Sequence, residues 1–443
     1  MELKRLKRWI CLLLSAGFIF ALYACGNTGK DKTEVKFPVF EENEFRFGAF
    51  SSPPPTQEAY TEFAETGMNY TLLDQNYGGI DTPVYDSILD YCGNANLNAI
   101  VMQLVEKDFL VDAERDAALC AKKAYAGKNF KDEPTPAEFD RLAGYIKDFE
   151  RDNPGKLYLN NLFPCIASPK TLGGTFEEYV QGYIDRVLNK VSGKKILMCD
   201  IYPLLTSSRG NYLMPQYLYN LETTAHYTMG TDIDVDYYYL THGHMNYRII
   251  SSAKDIMFQF NTLMAYGVKG FWAFTYPDQG GTDFQTGYAL VKIENKYGVY
   301  TTTKHDVYYY VKDAIAETKT LQEAYLHFDY KGTKAIIGKL NDVGYNDCFD
   351  LLNYNLEKLN SIESVECSQD TIIGQFEKDG VDAYMISNFT EPTQDRSDKV
   401  VITFKGKNKA RIYSGGTCYD MDILQNKLSL ILNSGEAAFV IAI

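Results

Sequence analysis

The stretch Tyr125-Ala-Gly-Lys-Asn-Phe-Lys-Asp-Glu-Pro134 decides the fold, because a strand-like run ends there on two carboxylates and a helix follows. Prolines in this turn suit the first turn of a helix, where a backbone donor is not needed. Thr135 and Glu138 fit a capping box ahead of an amphipathic stretch. Two interpretations follow. Asp132 and Glu133 are acids displayed at the end of a barrel strand, or they are a helix cap and a solvated first-turn acid.

Strand-like runs and helical patterns alternate along residues 44–326. The short apolar runs are 45–50, 68–74, 97–104, 125–132, 157–163, 195–202, 235–241 and 270–276. Helical stretches lie between them at 57–66, 82–93, 135–151, 175–191, 249–266 and 304–326. This alternation predicts an α/β fold, a (β/α)₈ TIM barrel over residues 44–326, with 125–132 as its fourth strand.

The texture of the sequence changes after residue 326. Short alternating runs bounded by turn residues replace the helical patterns, for example around Gly415-Gly416 and Asn433-Ser-Gly435. Residues 327–443 are therefore predicted to form a small all-β sandwich domain.

The N-terminus has the pattern of an export signal. Four basic residues among the first eight precede an apolar run at 9–22. The run ends Ala21-Leu-Tyr-Ala-Cys-Gly26, which resembles a bacterial lipobox with Cys25 as the lipidated residue. The alternatives are a plain signal peptide or an uncleaved anchor. We predict a lipoprotein signal peptide at 1–25, a polar tether at 26–43, and a location in the bacterial cell envelope on a membrane surface.

The composition excludes several classes of function. The chain has 443 residues, 45% of them hydrophobic and 23% charged, which suits one large and one smaller folded domain. A net charge of −14 argues against nucleic acid as a partner. Seven cysteines follow the signal region without CxxC or regular spacing, which argues against a disulfide scaffold or a zinc knuckle. The sequence has no Walker loop or dinucleotide fingerprint, so no cofactor is expected.

Several segments together resemble clan A glycoside hydrolases, in particular the family 42 β-galactosidase-like proteins that bacteria make as lipoproteins. Asp132-Glu-Pro134 matches the end of that clan's fourth strand, where an acidic or Asn residue precedes the catalytic Glu. Asp200-Ile-Tyr-Pro203 matches the end of their sixth strand, and residues 153–164 and 259–276 resemble further segments. The resemblance implies a glycoside hydrolase acting on an extracellular oligo- or polysaccharide, with Glu133 as general acid.

One position departs from that family. A retaining member has a second Glu at the end of the seventh strand, but Val235-Asp-Tyr-Tyr-Tyr-Leu-Thr-His-Gly-His244 has no carboxylate there. Asp200 and Asp278 are the candidates for the second catalytic carboxylate, and each is also interpretable as a loop or capping residue. The candidate substrate-binding residues are Asp74, Asp132, Tyr202, His242, His244 and Tyr276. The second hypothesis is a catalytically inactive carbohydrate-binding surface lipoprotein.

The pair His242-Gly-His244 has three interpretations. Paired His residues on a barrel strand can hold zinc, but no DxH or ExxH companion occurs, so no metal is expected. Hydrogen bonding to sugar hydroxyls and a loop pair without a ligand both stay open.

Overall fold

The computed structural model describes residues 43–443 except 103–112, 281, 283, 285–287 and 341–346. Its first ten strands are β1 (Arg46–Ala49), β2 (Tyr70–Leu73), β3 (Asn98–Met102), β4 (Tyr125–Asp132), β5 (Leu157–Leu162), β6 (Lys195–Asp200), β7 (Leu204–Ser207), β8 (Gly210–Leu213), β9 (Ile233–Leu240) and β10 (Gly270–Phe274). Eight of them form one parallel sheet in the order β1-β10-β9-β6-β5-β4-β3-β2. This order confirms the predicted α/β barrel.

The side chain of Asn69 helps to close the barrel between β1 and β2. Its backbone N–H donates to the carbonyl oxygen of Phe47 at 3.0 Å, and its Oδ1 accepts from the Phe47 N–H at 2.8 Å. Its Nδ2 donates to the carbonyl oxygen of Phe45 at 2.9 Å. One side chain thus satisfies main-chain groups at the seam where two short strands meet.

Helices follow the barrel strands. The described helices are α1 (Gln57–Ala64), α2 (Pro83–Asn94), α3 (Ala113–Cys120), α4 (Phe139–Asp152), α5 (Pro169–Leu172), α6 (Phe176–Arg186), α7 (Tyr217–Thr228), α8 (Ala253–Ala265), α9 (Asp306–Lys319) and α10 (Gln322–His327). The predicted stretch 304–326 therefore contains two helices, separated at Thr320–Leu321.

The helical region after β4 begins with the predicted capping box. The Glu138 carboxylate accepts from the Thr135 N–H at 2.8 Å, over the 3₁₀ turn Pro136–Glu138 that leads into α4. One face of α4 is buried against the barrel, including Leu142 and Ile146. Because Thr135 caps this turn, the interpretation of Asp132 as the helix cap is wrong.

Two β-hairpins are absent from the sequence prediction. One consists of β7 and β8, and the other of β11 (Val291–Lys296) and β12 (Val299–Lys304). The second hairpin turns through Tyr297 and Gly298, whose φ angles are +55° and +85°. A two-residue turn of this kind is usually signalled by Asn-Gly or Asp-Gly, and Tyr-Gly does not carry that signal.

The remaining strands form two antiparallel sheets that pack face to face. The strands are β13 (Asp329–Ile336), β14 (Ile362–Glu366), β15 (Thr371–Lys378), β16 (Val381–Asn388), β17 (Asp398–Phe404), β18 (Lys409–Ser414), β19 (Thr417–Asp422), β20 (Lys427–Leu432) and β21 (Ala437–Ala442). The sheet orders are β13-β15-β16-β21-β18-β19 and β14-β17-β20. Ile373 and Val440 from one sheet and Ile402 from the other share a core. The predicted β-sandwich is confirmed, while the domain boundary at 326/327 stays a prediction.

The predicted signal peptide, the lipidated Cys25 and the tether up to residue 42 lie outside the described residues. Within the described ranges, no helix is long and apolar enough to cross a membrane. The cysteines at 92, 120, 165, 199, 348, 367 and 418 are free thiols.

Candidate active site

The end of β4 is shaped by a bulge and by a left-handed residue. The pairing of β4 with β5 shifts register between Asn129 and Lys131. Bulges of this kind change the direction of the residues that follow. Glu133 then has a φ of +52°, and its N–H donates to the carbonyl oxygen of Asn161 at 2.8 Å. The backbone of Glu133 is thus held at the carboxyl end of β4, the face at which barrel enzymes carry their active sites.

Asn161, on the neighbouring strand β5, joins two of the predicted acids. Its Nδ2 donates to Oδ1 of Asp132 at 3.3 Å and to Oδ1 of Asp200 at 3.1 Å. Asp132, Asn161 and Asp200 belong to three adjacent strands, β4, β5 and β6. The structure therefore brings Asp132, Glu133 and Asp200 together around one amide.

The acids in this cluster hold their protons more tightly than usual. Loss of hydration on partial burial raises the pKa of Glu133 to about 7, helped by the Asp132 carboxylate and opposed by Lys131. Burial also raises the pKa of Asp200 to about 7, with the carboxylates of Glu133 and Asp132 adding to the effect and the Asn161 amide opposing it. The side chain of Asp132 is open to solvent, and partial desolvation in the cluster raises its pKa as well. Glu133 and Asp200 are therefore each partly protonated near neutral pH.

Aromatic rings lie beside the carboxylates. The ring of Tyr202, two residues after Asp200, stacks on Phe274 with centroids 5.5 Å apart. The edges of Tyr247 and His244 meet it at 5.4 Å and 5.9 Å. Tyr202 and His244 are buried within this cluster, whereas Tyr247 and Phe274 keep part of their surface exposed, where a sugar ring could stack.

Tyr238, on β9, completes the aromatic group. Its ring packs edge-on against Phe50 at 6.1 Å. Burial, followed by the charges of Asp132 and Asp200, holds the pKa of its hydroxyl well above the usual value. The hydroxyl therefore stays protonated near the carboxylates and is able to donate a hydrogen bond.

The two histidines of the β9 end lie next to this group but are not arranged around a metal. His242 is fully buried, and its Nδ1 accepts from the Gln279 N–H at 3.4 Å. The Nδ1 of His244 lies 2.9 Å from the carbonyl oxygen of His242. Among the described residues, no group of three His, Cys, Asp or Glu side chains is placed to hold a metal ion.

Asp278, the other candidate for the second catalytic carboxylate, contacts the loop before β11 and the start of α9. Its Oδ1 accepts from the Ala289 N–H at 2.9 Å, and its Oδ2 lies 3.3 Å from Nε2 of His305. The charges that shift the pKa of Glu133 are Asp132 and Lys131. Asp278 therefore ties the loop before β11 to the start of α9, and it is not among the charges that shift the pKa of Glu133 or of Asp200.

Two further predicted binding residues lie apart from the cluster. Tyr276 is fully buried, with its ring against Phe63 at 4.8 Å, so it is a core residue and is not accessible to a sugar. Asp74, after β2, accepts from Ser52 Oγ at 3.1 Å and from the Asn76 side chain at 2.7 Å. Asp74 lies at the carboxyl end of β2, and burial raises the pKa of its carboxyl group. In the sheet, β3 and β4 lie between β2 and β5, the strand that carries Asn161.

The sequence matches no protein-family model and no curated protein. Solved structures with a similar fold include an endo-1,4-β-mannanase from Eisenia fetida, with a TM-score of 0.36, 12% identity, and coverage of 55% of this chain and 87% of that one. The endo-β-1,4-mannanase of Thermotoga petrophila has a TM-score of 0.38 and 9% identity, and the match covers 88% of this chain and 98% of that one. A catalytic mutant of a GH42 β-galactosidase from G. stearothermophilus has a TM-score of 0.46 and 8% sequence identity. The match covers 91% of this chain and 99% of that one.

These similarities, at 8–12% sequence identity, concern the fold, which the strand order of this chain establishes by itself.

Sequence reasoning missed Asn161, Tyr238 and Phe274. The signal for Asn161 was present, because Asn160-Asn161 is a polar pair inside an otherwise apolar strand. A buried polar side chain needs hydrogen-bond partners, so such a pair on a barrel strand indicates a polar site. Tyr238 and Phe274 carry no comparable signal, since aromatic residues are common in any buried strand.

Proposed function

We propose that this protein is a surface-anchored glycoside hydrolase that cleaves glycosidic bonds of an extracellular oligo- or polysaccharide, with Glu133 as the general acid. The observation that carries the proposal is the pair of carboxyl groups, Glu133 and Asp200, each with a pKa of about 7 at the carboxyl ends of β4 and β6. Glycosidic bond cleavage needs two carboxyl groups, one that keeps its proton near neutral pH and one that acts in its ionised form.

The roles of the two acids follow from their hydrogen bonds. Asp200 receives the Asn161 amide, which favours its ionised form, whereas the Asp132 carboxylate favours the protonated form of Glu133, so we assign the proton to Glu133. In the proposed reaction, the carboxyl proton of Glu133 passes to the glycosidic oxygen as that oxygen leaves the anomeric carbon. The Asp200 carboxylate then either bonds to the anomeric carbon itself or takes a proton from the water that attacks it.

The aromatic group supplies the proposed binding surface for a sugar ring. Tyr247, which is partly exposed and packs on the buried ring of Tyr202, offers an aromatic surface, and Asp132 offers a solvent-open carboxylate to sugar hydroxyls. His244 belongs to the same group of rings, and we propose that it contacts substrate. His242 is too deeply buried for direct contact, and we propose that it supports the loop that carries His244.

The second candidate function is a sugar-binding surface protein without catalysis. It is favoured by one observation, the absence of a carboxylate at the end of β9, where Leu240 is followed by Thr241 and His242. In that case the raised pKa of Glu133 and Asp200 serves hydrogen bonding by neutral carboxyl groups to sugar hydroxyls.

Turnover separates the two candidates. Aryl-glycosides and plant and host glycans are screened at pH 7 with the wild-type protein, Glu133→Gln and Asp200→Asn. We expect release of reducing ends by the wild type, a loss of about 10²–10⁴-fold on unactivated glycans for Glu133→Gln, and a comparable loss for Asp200→Asn. The matched control is Glu58→Gln, an exposed acid in the first turn of α1, which should retain full activity.

Binding without turnover across the panel supports the sugar-binding function instead. Full activity in Glu133→Gln contradicts the assignment of the acid. Where turnover is found, proton NMR of the first anomer released shows whether Asp200 acts on the anomeric carbon or on water.

The membrane attachment is a separate proposal that rests on the lipobox-like sequence ending at Cys25. The measurement is metabolic labelling of the exported protein with an alkyne fatty acid. We expect label in the wild type and none in Cys25→Ser. Equal labelling of both contradicts lipidation at this residue.

A further inference from the structure

The segment that follows β9, residues 241–250, lies where a clan A enzyme would carry its second Glu, and we call it the β9 loop. The rings of its His244 and Tyr247 pack on Tyr202. Burial and then the Asp200 carboxylate raise the pKa of Tyr247 to about 12. The β9 loop is therefore one wall of the carboxylate cluster, and its conformation determines where those rings stand.

Main-chain hydrogen bonds hold the two ends of the β9 loop. At its start, the N–H groups of Thr241 and His242 both donate to the carbonyl oxygen of Phe274, at 3.0 and 3.1 Å. Further on, Thr206 N–H of β7 donates to the Asn246 carbonyl at 2.9 Å. The loop thus extends the β7–β8 hairpin by one more strand-like segment, next to the site.

Arg248 anchors the far end of the β9 loop through its guanidinium. Its Nη1 and Nη2 donate to the two carboxylate oxygens of Asp255, at 2.9 and 2.6 Å. Its Nε and Nη2 donate to Oε1 of Glu391 at 2.9 and 2.6 Å, and Nη1 also donates to the Ile249 carbonyl at 3.1 Å. All five N–H donors of the guanidinium are thereby used, which fixes its plane and the backbone that bears it.

Glu391 comes from the β-sandwich, in the connection between β16 and β17, and only 3% of its surface is exposed. Its Oε2 accepts from the Thr393 N–H at 2.8 Å, which fixes the turn Pro392–Gln394. The Thr393 hydroxyl in turn accepts from Nδ2 of Asn211 on β8 at 3.2 Å. A single turn of the sandwich therefore contacts both the β9 loop and the hairpin that supports it.

The buried ions make this anchor sensitive to the loss of one partner. The side chains of Arg248, Asp255 and Glu391 are 5%, 0% and 2% exposed. Removing one member of a buried ion group leaves a charge without sufficient compensation, and the group then reorients toward water. Without Glu391, Asp255 would still hold Arg248 to α8, and the ion pair between Arg248 and the sandwich would be lost.

We propose that Glu391 is a positioning residue for the active site, which, through Arg248, fixes the β9 loop and the aromatic wall beside Asp200. The β-sandwich on this view takes part in shaping the site. That the carboxylate cluster is an active site rests on the proposed function, but the first test of the inference does not depend on turnover.

The first test is hydrogen–deuterium exchange of the intact protein in the wild type, Glu391→Ala and Glu391→Gln. We expect peptides that cover the β9 loop to exchange at least about tenfold faster in Glu391→Ala, with a smaller increase in Glu391→Gln, which keeps the shape of the side chain. Peptides of β4, β5 and β6 should exchange as in the wild type. If Glu391→Ala does not fold, Glu391→Gln decides the question alone.

The matched control is Asp395→Asn, four residues further along. It removes an exposed ion pair with Lys254 between the same turn and α8 and leaves Arg248 untouched. Its β9 loop should exchange at the wild-type rate. Unchanged exchange of the loop in both Glu391 variants, or an equal increase throughout the barrel, overturns the proposal.

The second test uses any glycoside that the wild type turns over. We expect Glu391→Gln to raise KM about three- to tenfold with a smaller change in kcat, because the loop contacts substrate and does not supply the proton. Equal kinetics in Glu391→Gln and the wild type contradict the positioning role while leaving the proposed function intact. Absence of turnover in the wild type contradicts the proposed function and leaves the exchange result standing.

Discussion

Glu133 has a left-handed backbone conformation, which an L-residue adopts at a disadvantage of about 1–2 kcal/mol. The hydrogen bond from its N–H to the Asn161 carbonyl and the bulge two residues earlier hold it there. Strained backbone of this kind is found where side-chain placement matters more than stability. At the residue scale, Glu133, Asp132 and Asp200 therefore form one unit of interacting acids.

The pH dependence of turnover follows from that unit. Because Glu133 acts in its protonated form and its pKa is raised to about 7, kcat/KM should fall as the pH rises through about 7. On the acid side, kcat/KM should fall as the pH drops below about 7 and Asp200 takes up a proton, so the profile should be a narrow bell near pH 7. The pH–rate profile of Glu133→Gln should lack the alkaline limb, and an unchanged alkaline limb in that variant contradicts Glu133 as the acid.

Asn161→Ala tests the amide that joins Asp132 and Asp200. The hydrogen bond favours the ionised form of each acid, so its loss should raise the pKa of both. A hydrogen bond to a charged group contributes about 1.5–3 kcal/mol, and 1.36 kcal/mol corresponds to one pKa unit. The acid limb of the pH–rate profile should therefore move to higher pH by roughly one to two units.

The control for this change is Asn160→Ala on the same strand. Asn160 donates to the Tyr183 hydroxyl at 3.0 Å and accepts from the Lys131 N–H at 3.1 Å, and in the described part of the chain it makes no hydrogen bond to either carboxylate. It should lower thermal stability without moving the acid limb. An equal shift from both variants contradicts the bridging role of Asn161.

The elements that carry the site are β4, β5 and β6, and their spacing depends on a glycine. A Cβ atom at Gly127 in β4 would overlap the carbonyl oxygen of Leu157 in β5. Only glycine permits this approach of two strand backbones. The approach sets the start of the register that ends with Asp132 opposite Asn161.

Gly127→Ala should therefore force β4 and β5 apart. We expect a loss of more than about 2 kcal/mol in the free energy of unfolding, measured by urea denaturation, together with a fall in kcat/KM. The matched control is Gly144→Ala on the exposed face of α4, where a Cβ has no atom within 4 Å. That change should stabilise the protein by about 0.5–1 kcal/mol. Unaltered stability in Gly127→Ala contradicts the close packing of the two strands.

At the scale of the whole molecule, the barrel and the sandwich meet along α8. Phe258 stacks on Phe389 at 5.4 Å, and Nδ2 of Asn261 donates to the Gly435 carbonyl at 2.8 Å. The Thr333 hydroxyl donates to the Ala265 carbonyl at 2.7 Å. With the buried ions of Arg248, these contacts give the interface the character of a domain core, with apolar packing and satisfied polar groups.

We expect such an interface to make unfolding cooperative. Differential scanning calorimetry of the protein should show one transition for barrel and sandwich together, with a calorimetric enthalpy equal to the van't Hoff enthalpy. The described residues between 43 and 443 belong to one compact unit, which supports this expectation. Two transitions separated in temperature contradict it, as does unchanged solubility of the barrel when residues 327–443 are removed.

Local patterns predicted a large part of the fold. The capping box at Thr135 and Glu138, the strand at Tyr125–Asp132 and the alternation of strands with helices are short-range features, and the structure contains them. The hairpin β11–β12 was missed because its Tyr-Gly turn lacks the usual signal. Glu133, Asp200 and Asp278 were all chosen from strand ends; the charge of Glu133 acts on Asp200, and Asp278 contacts Ala289 and His305.

The sequence by itself determined the barrel, the sandwich and the strand that carries Glu133, because hydrophobic periodicity and turn chemistry act over a few residues. Only the tertiary structure decided which acids meet. The Asn161 amide donates to both Asp132 and Asp200. The Asp278 carboxylate accepts from the Ala289 N–H and lies next to the His305 ring. Likewise, only the folded chain brings Glu391 to Arg248, 143 residues away. Pairing of distant side chains depends on packing and burial, and no local pattern in the chain encodes it.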